Sequence, residues 1–228
     1  MKVSVVIPAF NEAPTLGELL RRVQAVDLRP LEREIIVVDN NSTDDTHTIA
    51  SGFPDVRVIR ETTQGKGAAV RAGFKAATGD IFLIQDADLE YDPQDYPNLI
   101  RFIVEEGADA VIGIRTRGGK EARSRSSVFY GLGNFAITLA TNLLYGGTAA
   151  EYTGGYKLFR RPVIESLVVR TSDFAYEHEL ICKVLKKKYR VIDTPIRYYP
   201  RDYAGGKKIN WRDGFKILWA VIKYRFID

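Results

Sequence analysis

The chain has few of the side chains that supply thiol ligands, nucleophiles and imidazole bases. Its 228 residues include one cysteine, Cys182, and two histidines, His47 and His178. A single cysteine excludes an internal disulfide and a cysteine zinc cluster, and it is typical of a reducing compartment. No Gly-x-Ser-x-Gly sequence occurs, which argues against the serine elbow of α/β hydrolases. His178 stands between Glu177 and Glu179 in a predicted helix, so we expect it on the helix surface rather than as a base.

A strong net charge and a long apolar run are also missing. Lys and Arg exceed Asp and Glu by 33 to 29, a net charge of +4, which is too small to indicate a nucleic-acid partner. Residues 126–150 carry no charge and are long enough to cross a bilayer. Gly, Asn and Thr are spread through them, which favours a buried or interfacial helix over a span. The apolar run at residues 3–7 is too short for a signal peptide, so we expect a cytoplasmic protein.

Apolar residues make up 45% of the sequence, and they alternate between strand and helix patterns. Apolar runs predict strands over residues 3–7, 34–38, 56–59, 81–84 and 110–114. Helical spacing predicts helices over residues 15–26, 67–77 and 94–105, and a shorter one ending near residue 50. This alternation predicts an α/β fold with a Rossmann-like, mainly parallel sheet flanked by helices. The later segments are a helix within 126–150, a strand near 155–159, a helix over 177–187, a strand within 190–199 and a C-terminal amphipathic helix over 211–226.

Three polar clusters follow predicted strands, where open α/β sheets bind their ligands. The clusters are residues 8–12, 39–44 and 85–88. Residues i and i+2 of an extended chain point the same way, so Asp86 and Asp88 can share one Mg²⁺ or Mn²⁺, which would also hold a diphosphate. The alternative is that Asp86, Asp88 and Asp92 only form a turn with Pro93. Three clusters at one sheet edge favour the metal site.

Residues 63–67 form a glycine-containing loop between a strand and a helix. Its glycines would let the backbone approach a ligand, and Lys66 could reach a phosphate. The spacing matches neither the Walker pattern nor the dinucleotide fingerprint. A plain tight turn explains the loop equally well.

The motifs, taken in chain order, resemble those of family 2 glycosyltransferases. The segments are PAFNE at 8–12, VVD at 37–39, GKG at 65–67 and DAD at 86–88. DADLEYDP at 86–93, GGYKLFR at 154–160 and residues 200–207 resemble the dolichyl- or polyprenyl-phosphate sugar synthases of that family. The resemblance covers residues 3–220. It implies a GT-A fold in one domain over residues 1–228, with a nucleotide-sugar half at 1–115 and an acceptor-binding, membrane-facing half at 116–228.

The implied reaction is inverting, metal-dependent transfer of mannose or glucose from a GDP- or UDP-sugar to a polyprenyl or dolichyl phosphate. The resemblance assigns the donor to Pro8, Ala9, Asn11, Glu12, Asp39, Asp86, Arg201 and Lys207. It assigns Mg²⁺ or Mn²⁺ to Asp86, Asp88 and Glu90. Arg115, after the fifth strand, would face the acceptor phosphate. Asp88, Arg115 and Arg201 would be the catalytic residues.

The chain departs from the family pattern at three positions. Asn40 stands where many relatives have Asp, Glu90 where mannosyl members often have Gln, and Gly206 where Ser often precedes the Lys. The transmembrane hairpins of some relatives are absent, so the resemblance implies peripheral contact with the cytoplasmic membrane face.

An acceptor phosphate is already an anion near neutral pH, so a strong base is dispensable and the reactants mainly need positioning and charge neutralisation. Glu177 and Glu179 lie near the position where other branches keep a catalytic carboxylate; the alternative is helix-surface charge. Two other functions stay open. One is transfer to a saccharide or a small soluble acceptor, and the other is non-catalytic nucleotide-sugar binding.

Two segments, residues 126–150 and 211–226, could attach the protein to a membrane surface. The second combines aromatic and basic residues on one predicted helix, which suits the headgroup region of an anionic leaflet. The basic stretch at 115–125 beside the uncharged segment favours a lipid phosphate as acceptor. Alternatively, both helices pack on the domain or on a second copy in a homo-oligomer.

Overall fold

The structure is a computed structural model that describes residues 1–116, 125–173, 175–200 and 211–227. The strands are β1 (Lys2–Ala9), β2 (Glu32–Asp39), β3 (Val56–Arg60), β4 (Ile81–Ile84), β5 (Ala110–Thr116), β6 (Lys157–Arg160) and β7 (Val191–Arg197). The helices are α1 (Ala13–Ala25), α2 (Thr46–Ser51), α3 (Lys66–Ala76), α4 (Tyr96–Val104), α5 (Arg125–Tyr145), α6 (Arg161–Glu165), α7 (Tyr176–Lys186) and α8 (Trp211–Phe226).

The seven strands form one sheet in the order β3-β2-β1-β4-β6-β5-β7. Strands β1 to β4 are parallel, β5 is parallel to β7, and β6 is antiparallel to both of its neighbours. The predicted α/β fold with a mainly parallel sheet is confirmed. Strands from both predicted halves of the chain contribute to this sheet, because β6 inserts between β4 and β5.

The core lies on both faces of the sheet. In β1, Val3, Val5 and Ile7 pack in one apolar cluster while Val6 packs in another, so the strand is covered on both sides. This double burial explains the continuous apolar run, because a strand with one solvated face would alternate apolar and polar residues. On one face, α1 contributes Leu16, Leu19, Leu20 and Val23.

Most of the predicted elements are present, with shifted ends. The helix predicted over 94–105 begins as a 3₁₀ turn, Pro93–Asp95, because the Asp92 side chain accepts a hydrogen bond from the Gln94 amide. The short helix α6 was not predicted, since five residues carry too little periodicity to identify it.

Candidate active site

The loops that follow β1 and β2 are joined by hydrogen bonds at the carboxyl edge of the sheet. The Asn11 amide donates to Ser42 Oγ at 3.0 Å, and the Thr43 amide donates to Asn11 Oδ1 at 2.9 Å. The Glu12 amide donates to Thr46 Oγ1 at 2.8 Å. Asn11 has a positive φ of 50°, which turns the chain back towards the second loop. Two of the three predicted polar clusters therefore form one surface.

The third cluster reaches the same surface through Thr15. Its Oγ1 lies 2.9 Å from both Ala87 O and Glu12 Oε2, so the first turn of α1 contacts the loop after β4. In the sheet, Pro8 and Ala9 pair in register with Val38 and with Asp39 of β2. The structure thus brings together the nucleotide-sugar residues predicted at 8–12, Asp39 and the Asp86–Asp88 segment.

Asp39 lies at the end of β2 with its side chain almost completely buried. Its Oδ1 accepts the Ser42 amide at 3.0 Å, while Oδ2 lies 3.8 Å from Arg60 Nε and 3.6 Å from His47 Nδ1. The carboxylate is therefore fixed by one backbone contact and faces basic side chains on its other oxygen.

Gln85 fixes the start of the acidic loop. Its Oε1 accepts hydrogen bonds from the buried hydroxyls of Tyr96 at 2.5 Å and Tyr156 at 2.8 Å. Its Nε2 donates to the Asp86 carbonyl at 2.8 Å. The backbone at Asp86 is thereby anchored to the aromatic core.

The chain is not extended from Asp86 to Asp88, which corrects the geometric premise of the sequence prediction. Ala87 and Asp88 lie in a turn, Leu89 has a φ of 61°, and the Glu90 amide donates to Asp88 Oδ1 at 3.1 Å. The turn forms because the short Asp side chain replaces a backbone acceptor. Within the described ranges, no three His, Cys, Asp or Glu side chains are grouped to hold a metal by themselves.

Lys66 connects this loop to α7. At the start of α3, its Nζ lies 2.6 Å from Asp86 Oδ1 and 2.6 Å from Glu177 Oε1. Burial alone would lower the pKa of Lys66, but Asp86 and Glu177 outweigh burial and raise the pKa well above its usual value. The predicted phosphate-reaching lysine is thus a fixed cation beside Asp86.

The glycines around Lys66 admit the protein's own chain rather than a ligand. A Cβ on Gly65, whose φ is 130°, would lie 2.2 Å from Ser172 O, and a Cβ on Gly67 would lie 2.5 Å from Tyr176 Cβ. The Gly67 amide donates to Ser172 O at 2.8 Å. The expected approach of a ligand to the loop backbone is thus taken, at the Gly67 amide, by the carbonyl of Ser172.

Glu177, Glu179 and His178 are buried. The prediction that His178 lies on the helix surface was wrong, and the alternative of helix-surface charge for Glu177 and Glu179 is excluded as well. Burial raises the pKa of Glu177, but Lys157 and Lys66 outweigh burial and lower it to about 2. Burial, reinforced by Lys157, lowers the pKa of His178 to about 4, so its imidazole is neutral at pH 7. The surface prediction failed because α7 packs against α8, α5 and α3, and every residue of this helix except Lys186 is buried.

The contacts of Glu179 indicate a structural role. Its carboxylate accepts the backbone amides of Arg170 at 3.1 Å and Thr171 at 2.8 Å, and it lies 2.8 Å from Lys183 Nζ. These contacts fix the segment before α7 on that helix.

Arg115 lies within β5 rather than after it, and its guanidinium pairs with Glu151. Arg115 Nε donates to Glu151 Oε1 at 2.7 Å, and Nη2 donates to Thr153 Oγ1 at 2.7 Å. Asn134 of α5 donates to the same Glu151 oxygen at 3.1 Å. The guanidinium also lies over the Tyr198 ring, 5.2 Å from its centroid.

Two charged residues of this region, Lys157 and Glu151, were not predicted from the sequence. Lys157 begins β6 between the apolar residues Tyr156 and Leu158, and a charged residue so placed is a signal for a buried ion pair. Glu151 offered no comparable signal. The predicted donor residues Arg201 and Lys207 lie outside the described residues, as does most of the basic stretch at 115–125.

Helices α5 and α8 pack together, and each presents an exposed apolar stripe. The stripes consist of Leu132, Phe135, Leu139 and Leu143 on α5 and of Phe215, Trp219, Ile222 and Phe226 on α8. Across the described parts of the chain, no helix combines the length and hydropathy needed to cross a membrane.

Curated proteins similar to this chain act on lipid phosphates, according to their names. Dolichol-phosphate mannosyltransferase of Pyrococcus furiosus is 33% identical, over 98% of this chain and 63% of that protein. Undecaprenyl-phosphate 4-deoxy-4-formamido-L-arabinose transferase of Proteus mirabilis is 30% identical, over 90% of this chain and 62% of that protein. The chain thus spans less than two thirds of the length of these two relatives.

Solved structures share the fold. Mannosyl-3-phosphoglycerate synthase of Rubrobacter xylanophilus superposes with a TM-score of 0.76 and 25% identity, over 99% of this chain and 73% of that one. Glucosyl-3-phosphoglycerate synthase of Mycobacterium tuberculosis, in complex with Mn²⁺, UDP and phosphoglyceric acid, superposes with a TM-score of 0.76. Its sequence is 21% identical, over 100% of this chain and 79% of that one. This likeness confirms the expected GT-A fold. Residues 4–168 match the family described as Glycosyl transferase family 2, and the chain belongs to that family.

Proposed function

We propose that the chain transfers a hexose, with inversion, from a nucleotide diphosphate sugar to a polyprenyl or dolichyl phosphate. The observation that carries the proposal is the meeting of the loops after β1, β2 and β4 at one sheet edge, with the Lys66 ammonium held against Asp86. Carboxylates and a fixed cation at one edge suit a diphosphate bound through a divalent metal. The family, and the names of the two curated relatives, support this class of reaction.

The donor set fits Mg²⁺ or Mn²⁺ when diphosphate oxygens complete the coordination shell. Asp86, whose carboxylate also pairs with Lys66, would hold the cation together with Asp88 and Glu90. When bound, the cation would neutralise charge on the leaving diphosphate. The Mycobacterium tuberculosis enzyme was crystallised with Mn²⁺ and UDP, in keeping with this proposal.

We assign the nucleoside end of the donor to the surface formed by Pro8, Ala9, Asn11, Glu12 and Asp39. Residues 1–115 would thus hold the donor and residues 116–228 the acceptor, within one domain. The late basic residues Arg201 and Lys207 would reach the donor phosphates.

On the acceptor side, Arg115 would bind the lipid phosphate, which must share the guanidinium with Glu151. No strong base is required, because the acceptor phosphate is already an anion. Glu177 is poorly suited to that role, since a pKa of about 2 leaves it a weak proton acceptor.

The exposed apolar stripes favour a lipid acceptor over a saccharide or another soluble one. Each CH₂ of a polyprenyl chain taken from the bilayer into water costs about 0.8 kcal/mol, so the enzyme must reach the membrane surface. On α8, exposed Lys216 and Arg225 flank the apolar stripe. Apolar side chains with basic neighbours are typical of a helix in the headgroup region.

The test is transfer of labelled sugar into an organic-extractable product from GDP- and UDP-hexoses, with polyprenyl phosphate and Mn²⁺. Asp88→Asn should lower kcat/KM at least about 100-fold, or about 2.7 kcal/mol, with an unchanged melting temperature. Asp55→Asn, at an exposed turn, is the matched control. Turnover in excess chelator or an active Asp88→Asn variant would reject the metal site. Product that stays in the aqueous phase would reject the lipid acceptor, and nucleotide binding without turnover would indicate a sensor.

A further inference from the structure

Four charged side chains of alternating sign form a continuous ion-pair network that ends at Asp86. Lys157 Nζ lies 2.5 Å from Glu177 Oε2, and Lys66 Nζ lies 2.6 Å from both Glu177 Oε1 and Asp86 Oδ1. The exposed fraction of the side chains falls along this ion-pair network, from 18% for Asp86 to 0% for Lys157. The network thus runs from the candidate donor site into the core.

The four residues of the ion-pair network belong to different parts of the secondary structure, so only the assembled fold brings them together. Asp86 follows β4, Lys66 begins α3, Glu177 lies in the first turn of α7 and Lys157 begins β6. Lys157 Nζ also lies 2.5 Å from Gly154 O. The next residue, Gly155, approaches so closely that a Cβ there would lie 2.8 Å from Asp86 Oδ2.

A purely structural ion pair would need only Glu177 and Lys157. The buried Lys157 ammonium needs a counter-charge, and one Glu177 oxygen supplies it. The other oxygen of Glu177 is directed to Lys66, which carries the charge pairing out to Asp86. Because the Glu177 carboxylate is shared between two lysines, the Lys66 ammonium is held by Glu177 on one side and by Asp86 on the other.

We propose that Glu177 and Lys157 are positioning residues that hold the Lys66 ammonium beside Asp86, ready to contact the donor diphosphate next to the metal. The inference rests on the proposed donor site. Before donor arrives, Lys66 is shared between Glu177 and Asp86, so it does not compete fully with a metal for Asp86. Without the Glu177 charge, Lys66 pairs with Asp86 alone, which opposes metal binding and moves its ammonium away from the diphosphate.

The decisive variant is the double substitution Glu177→Gln with Lys157→Met. Glu177→Gln alone leaves the buried Lys157 ammonium without a counter-charge and destabilises the fold. The double variant removes one charge of each sign, keeps Lys66 and separates the positioning role from folding. Glu18→Gln with Arg22→Met also removes one charge of each sign, but from an exposed ion pair on α1, and serves as the matched control.

Binding of Mn²⁺ is followed by electron paramagnetic resonance in the presence of UDP and, separately, of GDP. We expect the double variant to melt near the wild-type temperature and to bind Mn²⁺ with nucleotide about tenfold more weakly. Its KM for the donor should rise while its KM for polyprenyl phosphate is unchanged. A merely structural role would lower the melting temperature and leave the Mn²⁺ affinity of the folded protein unchanged.

Wild-type affinity in a folded double variant overturns the inference. Absence of Mn²⁺ binding by the wild type with either nucleotide overturns the proposed donor site and the inference with it. Should the double variant fail to fold, the same titration is made on Glu177→Asp, which keeps the charge but withdraws it by one methylene. Weaker binding by Glu177→Asp supports the inference, and unchanged binding overturns it.

Discussion

Asn40 secures the loop that carries Lys66 with three hydrogen bonds from one amide side chain. Its Nδ2 donates to Glu61 O at 3.1 Å and to Thr63 O at 2.7 Å, and its Oδ1 accepts the Gly65 amide at 2.7 Å. An Asp side chain could accept the Gly65 amide but could not donate to either carbonyl. The amide at position 40 therefore has a local structural reason in this chain.

We predict that Asn40→Asp lowers the free energy of unfolding by about 2 kcal/mol, because a buried carboxylate would face two carbonyl oxygens. Since the loop leads directly to Lys66, the KM for the donor should also rise. Urea denaturation and donor titration measure the two effects. Asn41→Asp, at an exposed neighbouring position, is the control for stability and should leave the free energy of unfolding unchanged. Unchanged stability in Asn40→Asp would contradict the assigned hydrogen bonds.

At the scale of elements, α8 has two opposed apolar faces. Ile217, Ala220, Val221 and Tyr224 are buried against the domain, while the stripe from Phe215 to Phe226 is exposed. An amphipathic helix was predicted here, with one apolar face, and the second apolar face was not anticipated. A helix that is apolar on both sides needs a second apolar environment, which we have proposed to be the membrane surface.

We predict that Trp219→Ser with Phe226→Ser lowers binding to anionic vesicles about tenfold or more. Each substitution removes apolar surface that the membrane would otherwise bury. The melting temperature should change little, because the two side chains are 64% and 78% exposed. Val168→Ser removes an equally exposed apolar side chain, 66%, from a loop and serves as the control.

Vesicle flotation at low and high salt measures this effect, and binding should weaken with salt because Lys216 and Arg225 contribute. A wild-type protein that does not float, even with polyprenyl phosphate present, would reject the membrane surface. Concentration-dependent dimers without vesicles would instead assign the stripes to a second copy.

At the scale of the whole molecule, one sheet joins the loops that we propose to bind the donor to the strand that carries Arg115, which we propose to bind the acceptor. Strand β6 lies between β4, which leads to Asp86, and β5, which carries Arg115. A ligand that contacts the loops after β1, β2 and β4 therefore stabilises a sheet to which every described strand belongs, and global unfolding should report its binding.

We predict that a nucleotide sugar at 100 times its Kd, with Mn²⁺, stabilises the fold by about 2.7 kcal/mol. For a chain of this length the melting temperature should rise by about 5–10 °C. A thermal-shift panel of UDP- and GDP-hexoses would identify the base and the sugar. Excess chelator should remove most of the shift, and Asp88→Asn should show little shift. No shift with any member of the panel would contradict the donor site.

The amino-acid sequence by itself determined the strands, most helices and the meeting of the three polar clusters. Each of these follows from local pattern, because apolar periodicity identifies an element and the carboxyl ends of parallel strands share one edge. No knowledge of distant contacts was needed to place Asn11, Asp39 and Asp86 together.

The tertiary structure alone decided which charges pair and which glycines the fold requires. Glu177 is buried between Lys66 and Lys157 because α7 packs on α3 and β6 inserts beside β4, and no local pattern encodes these long-range arrangements. Likewise, Gly65 is approached by Ser172, more than a hundred residues later in the chain. A side chain's partner depends on which remote segments dock against it, whereas its periodicity records only whether one face is apolar.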